Sequence, residues 1–116
     1  MINTIKQALE NSFSYSDYRK KVTELIAEGK STGHIQSEDL LKYSELNETR
    51  MNRLEKTIEV TPEAKAKLQN LDKKCIWLVL SEGWCGDAAQ IVPVIHKMAE
   101  ATDKVELKFA LRDDND

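Results

Sequence analysis

Two apolar segments of strand length, residues 75–80 (CIWLVL) and 105–111 (VELKFAL), enclose one stretch of helical periodicity, and this arrangement limits the fold more than any other feature. The first segment is continuously apolar, which suits a strand covered on both faces. The second alternates apolar and polar residues. Between them Ala88, Ile91, Val92, Ile95, Met98 and Ala99 recur at helical spacing, predicting a helix over about 86–102. A helix of this length joining two strands implies a parallel, right-handed crossover. Ahead of the first strand, Thr61-Pro62-Glu63 offers a cap, a proline at the first helical position and an acid behind it, all signs of a helix start. Ala64, Leu68 and Leu71 form its apolar stripe. Residues 61–116 therefore read as a helix–strand–helix–strand α/β unit.

Residues 1–60 read as a helical extension that packs on this unit. Ile2, Ile5, Leu9 and Phe13 fall at near-helical spacing. Tyr18, Val22, Leu25 and Ile26 form a second stripe, with Ser14 and Asp17 as a capping pair and Gly29 as a stop. GKSTGHIQ, residues 29–36, reads as a loop. Ser37 looks like the N-cap of a long helix, with Glu38 and Asp39 well placed in its first turn. Leu40, Tyr43, Met51, Leu54 and Ile58 are expected along its packed side. Glu48, Arg50, Arg53, Glu55 and Lys56 are expected on its solvated faces.

The 116 residues allow one domain with a modest core. A net charge of −3 gives no basic surface for nucleic acid. No apolar run approaches the ~20 residues of a membrane span, and the first residues lack a secretory apolar segment. Two cysteines are too few for a disulfide framework, so a cytoplasmic setting with both thiols reduced is expected.

The chemistry concentrates in SEGWCGDAAQIVP, residues 81–93. Cys85 sits in the turn between the apolar strand and the following helix. Unpaired N–H groups and the positive dipole end of that helix favour thiolate over thiol, while the carboxylate of Asp87 works against it. Gly86 relieves crowding, and Trp84 offers a flat apolar surface. SEGWCGDA followed by Pro93, eight residues after Cys85, resembles the thioredoxin family, whose motif is W-C-G-P-C at a strand-to-helix turn. The WCGD form and the helical stretch ahead of it are similar to a bacterial thioredoxin-like group. The resemblance implies an incomplete thioredoxin-like α/β fold and thiol-disulfide redox chemistry with Cys85 as the catalytic residue. Trp84, Gly86, Asp87 and Ala88 would form the substrate-docking surface. Ala88 stands where the family keeps its resolving cysteine, so a mixed disulfide must be released by an outside thiol. Val79 stands where the family commonly buries an acid. The family's cis-proline loop, hairpin and final helix have no counterpart before Asp116, and a truncated chain is expected.

Other residues take plainer readings. Cys75 is expected as a small buried apolar residue, too far from Cys85 for a disulfide. Trp77 is expected in the core. His96, eleven residues beyond Cys85, lies ~16 Å along the helix and cannot form a Cys–His pair. His34 carries no sign of a metal cluster. Asp113, Asp114 and Asp116 lack calcium-loop spacing and read as a solvated turn. Two functions remain open. One is a monothiol redox protein acting on a protein disulfide or a glutathione-type substrate with an external thiol reductant, needing no metal or organic cofactor. The alternative is a non-catalytic thioredoxin-fold binding or adaptor module. Neither calls for nucleic acid or membrane, and the two-stranded unit with open edges is expected to form a homo-oligomer.

Overall fold

The computed structural model describes residues 2–114. Its centre is a parallel pair, β1 (Cys75–Ser81) and β2 (Val105–Leu111), in register from Cys75 opposite Val105 to Ser81 opposite Leu111. The helices are α1 (Ile2–Glu10), α2 (Tyr15–Ala27), α3 (Glu38–Thr57), α4 (Pro62–Gln69) and α5 (Gly86–Glu100), and a 3-10 turn spans Arg112–Asp114. The expected helix–strand–helix–strand order is present, with α5 as the crossover.

Local chemistry explains the helix ends. Ser14, Ser37 and Thr61 accept from the N–H groups of Asp17, Leu40 and Ala64, each three residues on. Helix α2 closes at Gly29, whose φ of 77° is open to glycine. There Gly29 N–H reaches Ile26 O and Lys30 N–H reaches Leu25 O, satisfying carbonyls that the helix leaves free.

Tyr15, Tyr18, Val22, Met51, Ala89, Val92, Phe109 and Leu111 form the core, with Val79 and Leu107 packed against it. It draws on α2, α3, α5 and both strands, so the extension supplies half of the core. Phe109 is fully buried and stacks on Tyr18 with ring centroids 5.1 Å apart. Burying such a ring contributes about 1.5–3 kcal/mol.

Several expectations are corrected. Phe13 does not continue α1; its backbone exchanges two 2.7 Å hydrogen bonds with Phe109, adding a one-residue antiparallel rung to the edge of β2. Strand β1 is not covered on both faces: Ile76 and Leu80 are 49% and 53% exposed. Cys75 is exposed rather than buried, at the open start of β1, and Trp77 is half-buried. Tyr43 is exposed on α3. The buried stripe of that helix runs through Ser44, Asn47 and Met51 instead.

Candidate functional site

Cys85 occupies the N-cap position of α5, between the end of β1 and the first helical turn. Its carbonyl accepts from Ala89 N–H at 3.1 Å, the first bond of the helix. Its side chain makes no capping hydrogen bond, so the half-buried sulfur is left for other chemistry.

The loop that carries Cys85 is fixed from two sides. Gly83 N–H donates to Thr32 Oγ1 at 2.8 Å, and Gly83 O accepts from Asn47 Nδ2 at 3.1 Å. Both partners come from the N-terminal region, one from the loop after α2 and one from α3. There is little room for more than glycine at this point, since a Cβ would come within 3.2 Å of Val22 Cγ1. Cys85 N–H closes the turn onto Glu82 O at 3.1 Å.

Glu82 is the hub beneath this loop. It is 2% exposed. Its carboxylate accepts from the Thr32 hydroxyl and from Asp113 N–H, the latter at 2.9 Å. Asp113 in turn accepts from His34 N–H at 3.1 Å and from Arg112 at 3.3 Å. Gly33 makes this approach possible: its φ is +94°, and a Cβ would lie 2.5 Å from Asp113 Oδ2. Buried carboxylates persist only where donors meet them. Asp113 is therefore no solvated turn residue, as the sequence suggests, but part of the support for the cysteine loop. Asp114 keeps an exposed contact with His34 Nε2 at 3.1 Å. Asp116 lies outside the described residues.

Trp84, Cys85, Gly86 and Asp87 line one cleft of about 530 Å³ together with Leu40, Tyr43, Leu46, Asn47 and Arg50 of α3. The Arg112 guanidinium lies 5.2 Å from the centre of the Trp84 ring, a cation–π contact that steadies the indole. Ala88 is placed differently. It packs against the core and does not line the cleft. Val79 also packs against the core. Among the described residues the buried acid is Glu82, in the loop rather than in the strand.

His96 is embedded away from the thiol. Its ring stacks on Tyr15 at 3.9 Å and its Nε2 lies 2.9 Å from Glu100. Burial lowers its pKa, with Glu100 opposing. Tyr18 donates to or accepts from Ser81 Oγ at 2.7 Å, and burial pushes its pKa up to about 12. Among the described residues no group of three or more His, Cys, Asp or Glu is arranged to hold a metal ion. No helix among them is long and apolar enough to cross a membrane.

Sequence reasoning missed Thr32, Asn47, Glu82 and Asp113. One signal was available. Leu40, Ser44, Asn47, Met51, Leu54 and Ile58 follow alternating steps of four and three, so the small polar residues belong to the same stripe as the apolar ones. Nothing local in the sequence pairs Thr32 with Glu82, fifty positions away.

A free thiol at a strand-to-helix turn, on a parallel α/β unit, fits a thioredoxin-like protein. A family profile described as thioredoxin matches residues 33–116, and the chain belongs to that family. The match includes α3 as well as the α/β unit. No curated protein and no solved structure matches the chain. Family membership supports a thioredoxin-like redox function.

Proposed function

We propose that the protein exchanges thiols and disulfides through Cys85 alone. The observation that carries this reading is a free sulfur, uncommitted to capping, at the N-terminus of α5 and on the wall of a cleft. In the first step the Cys85 thiolate attacks one sulfur of a substrate disulfide. That S–S bond breaks, and the other half leaves as a thiolate that takes up a proton. Ala88 supplies no second sulfur, so an external thiolate then attacks the mixed disulfide and releases Cys85. The external thiol becomes joined to the substrate sulfur; attack at the Cys85 sulfur instead frees the substrate thiol, and a second external thiolate then displaces Cys85, leaving the two external thiols as a disulfide.

Trp84, Gly86 and Asp87 shape the docking face. The substrate is a protein disulfide or a glutathione-type disulfide, the reductant is a thiol in solution, and the setting is the cytoplasm. Self-association of this chain through the open face of β1, at Ile76 and Leu80, belongs to the same proposal. Sedimentation of Ile76→Glu/Leu80→Glu as a smaller species than the parent would bear that out, and equal sedimentation would count against it.

The test is a turnover assay with glutathione disulfide on a Cys75→Ser background. Intact mass is expected to show one glutathione adduct, lost on adding dithiothreitol and absent from Cys85→Ser. No adduct, under conditions that alkylate Cys85, would overturn the redox reading and leave a binding module.

A further inference from the structure

We propose that the cleft between α3 and the Cys85 loop docks an extended segment of a protein disulfide substrate, with an apolar residue on one side of the substrate cysteine and an acidic residue on the other. This rests on the thiol exchange proposed above and names the substrate that the same site selects.

The apolar half of the argument is the wall. Leu40, Tyr43, Leu46 and Trp84 share the cleft with Cys85, and Tyr43 and Leu46 remain 55% and 47% exposed. Tyr43 and Leu46 lie on α3 outside its buried stripe of Ser44, Asn47 and Met51, so core packing does not account for them. A small hydrophilic thiol such as glutathione would leave this wall uncovered. A peptide side chain placed a residue away from the reacting sulfur, with a rise of ~3.3 Å per residue, would reach it.

The charged half is the sorting of ions along α3. Of its five acids, Glu48 and Glu55 are engaged by Arg19 of α2, at 3.7 and 2.9 Å, while Glu38, Asp39 and Glu45 line neither this cleft nor the hollow beside it. Arg50 and Arg53 form no ion pair among the described residues. Arg50 makes one hydrogen bond, 3.3 Å to the neutral amide of Asn47, and keeps further donors available. It lines the cysteine cleft and also a neighbouring hollow of about 400 Å³ with Arg53, Leu54 and Gln90. A substrate chain leaving Cys85 along α3 thus meets two unpaired guanidinium groups, suited to bidentate recognition of a carboxylate. Asp87 is the acid on the cleft itself. It repels a second carboxylate on its side and directs the acidic residue toward Arg50 and Arg53.

The experiment uses short peptides whose single cysteine is blocked as a disulfide with 2-mercaptoethanol. Cys85 attacks the peptide sulfur and releases 2-mercaptoethanol, and peptide mass spectrometry of the digested protein follows the adduct at Cys85 apart from any at Cys75. One peptide carries leucine and glutamate on either side of the cysteine; the others replace glutamate by lysine or leucine by serine. The chain is expected to react about fivefold faster with the glutamate peptide than with the lysine peptide. In Arg50→Glu/Arg53→Glu that order inverts, and in Tyr43→Ser/Leu46→Ser the advantage of leucine over serine disappears. Equal rates for all three peptides with the unaltered chain, a comparison requiring no protein variant, would overturn the proposal. So would a change in sedimentation of Arg50→Glu/Arg53→Glu without a change in the glutamate-to-lysine ratio, which would mark the cleft as a contact between copies. If no peptide reacts at Cys85, the exchange reading fails by itself. Docking is then read from amide shifts with an unreactive serine-for-cysteine peptide. Shifts at Leu46, Arg50 and Trp84 that weaken when glutamate becomes lysine would sustain docking; their absence would remove it.

Discussion

The two cysteines sit near opposite ends of one strand, and each borders a cleft. The cleft at Cys75 is about 610 Å³ and that at Cys85 about 530 Å³, so space does not distinguish them. Cys75 is the more exposed. What differs is the support. Cys75 is held by an ordinary ladder bond, its N–H on Lys104 O at 2.7 Å. The loop before Cys85 is held by Thr32, Asn47 and the buried carboxylate of Glu82, which draws in Asp113. Accessibility alone would select Cys75 as the reactive thiol. Placement at a helix N-terminus in a fixed loop is the ground on which we propose Cys85.

The comparison breaks most severely at Glu82. Replacing it by alanine leaves the Thr32 hydroxyl and the Asp113 N–H without their acceptor, and a loss of about 3 kcal/mol is expected in urea unfolding. Thr32→Val removes the acceptor of Gly83 N–H and the donor to Glu82 together, for a loss of about 2 kcal/mol. In that variant, hydrogen exchange should quicken at the Gly83 and Cys85 amides and stay unchanged at Cys75. Equal quickening at both ends of β1 would show a general loss of stability rather than a released loop.

A smaller effect is expected from pH. The folded state lowers the His96 pKa below its unfolded value of ~6.5. The unfolded chain therefore binds the proton more readily, and the stability from neutral His96 is present above that value and lost as pH falls below it. The loss of stability between pH 7.5 and 5.5 should be shallower in His96→Phe than in the unaltered chain, while Cys85 reactivity keeps its pH profile. A His96→Phe variant with an unchanged stability slope would remove His96 from this account. The smallest effect belongs to Cys75→Ser, where exposure and the lack of side-chain partners among the described residues predict a change within about 0.5 kcal/mol.

The difference between the two cysteines also shows what a single sequence reveals. The caps at Ser14, Ser37 and Thr61, the stop at Gly29 and the crossover helix are encoded within a few residues of where they act, and each was legible. The WCGD turn was legible for the same reason. Phe13 joining the edge of β2, and Thr32 meeting Glu82, depend on contacts that only the assembled chain creates. The open face at Ile76 and Leu80 eluded the apolar run because a continuous run shows that a strand is hydrophobic, not what covers it. On α3 the expected packed side went astray at Tyr43, because polar Ser44 and Asn47 serve as buried residues once their side chains find backbone acceptors, Leu40 O and Gly83 O.

The central claim is that support and placement, rather than exposure, make Cys85 the working thiol. The most direct measurement is the rate of mixed-disulfide formation at each cysteine of the same molecule, with glutathione disulfide in excess and the sites resolved by peptide mass spectrometry. Faster modification at Cys85 than at the more exposed Cys75 is the predicted result. Modification at Cys75 as fast as at Cys85, or faster, would contradict the account.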